Sequence, residues 1–82
     1  MKLQDLNKVF EEARKVNASY AGIIVLPTEE AIIFSSKVFD YKQEYINDVY
    51  NENLQLKHAK HVQIVDCAYG KTYHDIQVKL KR

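Results

Sequence analysis

Eighty-two residues, 46% of them hydrophobic and 28% charged, with two glycines and one proline, describe a single domain spanning residues 1–82, with no room for a linker and a second one. A formal charge of +1 lacks the clearly basic balance of a strong nucleic-acid backbone binder. One cysteine, Cys67, excludes an internal disulfide framework and suits a reducing compartment.

The charge is unevenly divided. Residues 1–50 carry six basic and eight acidic side chains, whereas residues 51–82 carry six and three. Asp5, Glu11 and Glu12 interrupt what would have to be an apolar signal segment, and no apolar run reaches bilayer length, so a cytoplasmic location is expected. The Asn17-Ala18-Ser19 acceptor pattern then has no meaning. Small size without targeting features suits the short reading frames of bacteria and their mobile elements.

Leu3, Leu6, Val9, Phe10, Ala13 and Val16 recur at three and four, which predicts an amphipathic helix ending near Asn17. SYAGIIVL and EAIIFSS follow, rich in Ile, Val and Phe and separated by PTEE, and read as a hairpin. With Pro27 to Glu30 as the connection, Leu26 opposes Ala31, Ile24 opposes Ile33 and Gly22 opposes Ser35. Ile23, Val25, Ile32 and Phe34 then share the other face, so both faces of this hairpin are apolar.

DYKQ predicts a second helix, with Asp40 as its cap and Gln43 closing a capping box, running to between Leu54 and Leu56. HVQIVDCA and TYHDIQVKL read as two further strands turned around Tyr69-Gly70-Lys71, with Val62, Ile64 and Ala68 sharing parity with His74, Ile76, Val78 and Leu80. The expected fold is α+β, in which two α-β-β units form a four-stranded antiparallel sheet with two helices on one face. The reverse face of the first hairpin is then bare unless a strongly curved sheet closes on itself, and a second copy of the chain is the expected cover, with a heterologous protein and such self-coverage as the alternatives.

Candidate chemistry is sparse. His58, His61, Cys67 and His74 offer nitrogen and sulfur ligands, but their spacing matches neither a zinc finger nor a ribbon, so no metal is expected. In a three-residue-loop register Asp66 faces His74, which reads as a structural cross-strand pair. Cys67 beside His74 would need an electropositive, partly exposed setting to act as a nucleophile, and nothing supplies an oxyanion hole. Glu11-Glu12 and Glu29-Glu30 point apart and are solvated; the second pair is a possible acidic contact for a basic partner. No phosphate-binding loop is present, so neither a cofactor nor an enzymatic activity is expected.

Six tyrosines exceed ordinary expectation, and tyrosine is enriched in interface centres. Ile23, Val25, Ile32, Phe34, Tyr69 and Tyr73 are therefore the expected contact residues. The expected function is that of a small protein–protein interaction or regulatory module acting as a homodimer. Its rival is weak single-stranded nucleic-acid binding by the second hairpin, where Tyr69 and Tyr73 lie among Lys57, Lys60, Lys71, Lys79, Lys81 and Arg82.

Overall fold

The computed structural model describes residues 1–81; Arg82, one of the basic residues above, lies outside them. Helix α1 (Leu3–Lys15) forms where the apolar spacing predicts it, with Leu6, Phe10 and Ala13 fully buried on one side. The Asp5 carboxylate accepts the Lys2 backbone N–H at 2.8 Å and closes the first turn. At the other end Asn17 adopts φ 54°, a left-handed conformation that asparagine tolerates better than most residues. This lets the Ala18 amide reach the Ala13 carbonyl at 2.9 Å and the Asn17 amide reach Arg14 at 3.2 Å, the paired bonds that stop a helix.

Strands β1 (Tyr20–Leu26) and β2 (Glu30–Ser35) make the expected hairpin in a different register: Val25 opposes Glu30, Ile24 opposes Ala31 and Gly22 opposes Ile33. The turn is set by Glu29, whose amide donates to the Val25 carbonyl at 2.9 Å with φ 60°. Pairing has slipped by two residues, an even shift that leaves every side chain on its expected face.

The DYKQ cap does not form. The Ser35 hydroxyl instead accepts the Lys37 amide at 3.1 Å and starts a 3-10 turn, Ser36–Val38, that runs directly into α2 (Phe39–Val49). Asp40 therefore lies inside the first helical turn, where the Arg14 guanidinium meets its carboxylate at 2.6 Å. Gln43 donates to Asn7 on α1 at 2.9 Å, joining the two helices through a small amide network with Asn47. Helix α2 ends earlier than predicted because Tyr50 turns extended and bridges to Leu56.

The second half differs most. Strand β3 is only Gln55–Leu56, and its partner β4 (Ala59–Gly70) contains the expected HVQIVDCA strand. The segment TYHDIQVKL is not a strand but a helix, α3 (Tyr73–Lys79). Its N-terminus is capped by Thr72, whose hydroxyl accepts the Asp75 amide at 3.0 Å. Ile76 and Leu80, four apart, are buried together, while Val78 faces solvent.

The sheet order is β2-β1-β4-β3, antiparallel throughout. The fold is α+β as expected, with one four-stranded antiparallel sheet and α1 and α2 on one face. Between them lies the main core: Leu6, Phe10 and Ala13 of α1, Phe39 and Ile46 of α2, and Ala21, Ile23, Phe34 and Ile64 of the sheet. Phe10 and Phe34 stack with ring centres 5.9 Å apart, and Phe39 meets both edge-on.

The bare reverse face is corrected by α3. Ile76 and Leu80 pack on Ile24, with Tyr20, Ile33, Val65 and Ala68 around them, so the second apolar face of the hairpin is covered by the chain itself. That removes the reason for which a second copy was expected there. Among the described residues no helix is long and apolar enough to cross a membrane.

Candidate functional site

The two helices do not shelter the whole of their face. Between the hairpin and α2 a groove of about 220 Å³ opens, with Ile23, Val25, Ile32 and Phe34 as its floor and Tyr45 and Tyr50 among its walls. Ile23 and Phe34 lie deep, each 7% exposed, whereas Ile32 at the outer lip is 46% exposed and Tyr45 51%. Burial, and after it the neighbouring Tyr45, raises the Tyr50 hydroxyl pKa above its ordinary value, so this wall stays neutral. Lys42 closes one end, its ammonium 6.0 Å from the Phe34 ring centre. The volume suits one or two apolar side chains and falls short of an ordinary small-molecule site.

The groove adjoins an unpaired strand. The Ser36 amide donates to the Ser19 carbonyl at 2.8 Å, which sets the phase of the β1–β2 ladder: Phe34, Ile32 and Glu30 exchange bonds with β1. The backbone groups of Ala31, Ile33 and Ser35 therefore point outward, away from the sheet. Among the described residues no hydrogen bond reaches the outward groups of Ala31 or Ile33. Strand β2 holds no proline, no lysine and no bulge, the usual devices that blunt an edge.

The opposite edge is dressed. By the same phase argument Cys67 and Tyr69 face outward on β4 beyond the short β3. There the Asp66 carboxylate accepts the Cys67 amide at 2.8 Å, and the Lys79 ammonium donates to the Tyr69 carbonyl at 2.6 Å while lying 5.2 Å from its ring centre. Side chains hold two outward backbone groups of this edge, whereas among the described residues none holds an outward group of Ala31 or Ile33.

The expected contact residues thus separate. Ile23, Val25, Ile32 and Phe34 come together in the groove. Tyr69 and Tyr73 do not join them: Tyr69 is half-buried against the main core, and Tyr73, on α3 instead of a strand, meets Tyr20 edge-on at 6.2 Å. Among the described residues the lysine-flanked aromatic sheet surface that single-stranded nucleic-acid binding would use is consequently not assembled.

The titratable residues are dispersed. His58 lies in the β3–β4 turn, His61 on β4 and His74 on α3, all exposed, and among the described residues no group of three or more His, Cys, Asp or Glu is placed to hold a metal ion. With α3 replacing the expected strand, the Asp66–His74 cross-strand register does not exist. Cys67 is buried, and desolvation, then the Asp66 charge, pushes its pKa up to about 12. It is a protonated, inert thiol at neutral pH, the opposite of an activated nucleophile.

No family model, curated protein or solved structure matches the chain. The features that sequence reasoning missed are the open backbone of Ala31 and Ile33 and the aromatic wall that α2 adds to the groove. The first had a signal in the sequence: EAIIFS is a strand without an edge-blunting residue inside it. What was missing was the sheet order that places it at the edge.

Proposed function

We propose that this chain is a protein–protein interaction module whose site is the open edge of β2 together with the groove beside it. An extended segment laid along Ala31, Ile33 and Ser35 would add a strand to the sheet, its alternate side chains falling toward Ile32 and Tyr45. The observation that carries the reading is the contrast between the two edges: side chains protect β4, while β2 leaves backbone donors and acceptors beside exposed apolar surface. No enzymatic role is proposed, since the one thiol is buried and held protonated and the histidines stand apart.

Selection of random linear peptides displayed on phage tests this reading. Enriched peptides are expected to carry apolar residues at alternate positions, to shift the amide resonances of Ala31, Ile33 and Ser35, and to lose binding on Ile32→Asp. Peptides that map to another surface, or a selection on monomeric chain that enriches none, would overturn it.

A further inference from the structure

The open edge is complementary to itself. Its outward residues are Ala31, Ile33 and Ser35, so a two-fold axis through Ile33 sets Ile33 opposite its own copy and Ala31 opposite Ser35. Each matched position has its backbone groups directed at the other strand. The charges obey the same symmetry: Glu29 and Glu30 stand at the hairpin end of β2, and the exposed Lys37 follows its other end. An axis at Ile33 brings Glu29 of one copy to the level of Lys37 of the other, twice. The same operation sets Ile32, the exposed lip of the groove, across from Phe34 of the second copy on the helix-covered face. Tyr45, 51% exposed on α2 and part of the groove wall, then borders the seam.

We propose that β2 pairs antiparallel with β2 of a second copy of this chain, with Ile33 on the two-fold axis, making one continuous eight-stranded sheet. The inference rests on the interaction-module reading and names its occupant. It differs from a dimer built on an uncovered sheet face, because that face is occupied by α3. The charge pattern favours a second copy: acid at one end of the strand and base past the other match an antiparallel partner that carries the same pattern, which a second copy supplies by symmetry. The groove alone supplies no such preference.

Sedimentation equilibrium across micromolar to millimolar chain concentration, at low salt, tests the pairing with Glu29→Lys, Lys37→Glu and the two together. Both positions are exposed, so the substitutions leave the core untouched. The native chain is expected to dimerise; each single reversal places like charges at both ends of the seam and is expected to weaken the dimer about tenfold, and the double reversal is expected to recover it. A dimer indifferent to the single reversals, or not recovered by the double, overturns the register. A chain that stays monomeric yet binds displayed peptides at Ala31 and Ile33 overturns the second copy as occupant and leaves the module reading standing. A monomer that binds no peptide there overturns both.

Discussion

A Cβ built on Gly22 would stand 2.6 Å from Cγ2 of Ile76 and 3.0 Å from Cδ1 of Leu80. The absent side chain in the middle of β1 is what lets α3 lie directly on the sheet. Both obstructing atoms belong to buried, branched side chains with little freedom to move away. Gly22→Ala is therefore expected to lift α3 and to cost about 1–3 kcal/mol of stability. Urea unfolding followed by circular dichroism checks this; a change within about 0.5 kcal/mol would show that α3 is not seated over Gly22.

Ile76 and Val78 separate a helix from a strand over the same segment. On a strand both would share one face; on α3 Ile76 is fully buried and Val78 is 58% exposed. Ile76→Ala is expected to destabilise by about 2–5 kcal/mol, through lost burial and the cavity left behind. Val78→Asp is expected to stay within about 0.5 kcal/mol. Equal losses in denaturant titrations of the two variants would contradict the helix.

Cys67 makes stability depend on alkaline pH. Its thiol is held up to about 12 by burial and then by Asp66, above the ordinary cysteine value of about 8.5. Below the unfolded pKa both states are protonated and the thiol contributes no pH dependence. Between the two values the unfolded chain releases the proton while the native chain keeps it, so stability falls as pH rises, by up to about 1.4 kcal/mol per pH unit. Cys67→Ala should remove this slope from unfolding curves recorded between pH 9 and 12. At neutral pH a disulfide thiol reagent should label native protein only at the rate of opening.

Ser35 and Asp40 exchange the roles that residue type suggests. Ser35 accepts the Lys37 amide and starts the turn into α2, so Ser35→Ala is expected to cost about 1 kcal/mol whatever the salt. Asp40 meets Arg14 on the surface, its side chain 94% exposed, and a double-mutant cycle on that pair should return less than about 1 kcal/mol. That coupling should weaken in 1 M salt, where the screening length falls to about 3 Å. Thermal unfolding at two salt concentrations distinguishes the two contributions.

These residues also show how far the sequence could be read. The first helix and first hairpin were legible because Leu6, Phe10 and Ala13 keep a helical period, and because the run from Ile23 to Leu26 admits only a strand with two apolar faces. The hairpin faces survived a wrong register, since the slip was even. TYHDIQVKL misled because Ile76 and Leu80, four apart, fit alternation and a helical turn equally well. The deciding features are Thr72 with Asp75 three residues on, which together start a helix, and the space above Gly22, which exists only once the sheet is built. Of the candidate site, the set Ile23, Val25, Ile32 and Phe34 was legible as one face. The open edge was not, because strand order depends on β1 pairing with β4 from far along the chain.

The placement of α3 has a consequence for synthesis. Ile24 and Ile33 are made early, and the helix that shields them leaves the ribosome only after β4 has been completed. For that interval a nascent chain carries a hairpin with α1 to lay upon one face and nothing of its own for the other. A trigger-type holdase bound during translation, or a delay in folding until Leu80 has emerged, would answer the same hazard of sticking to neighbouring polypeptides.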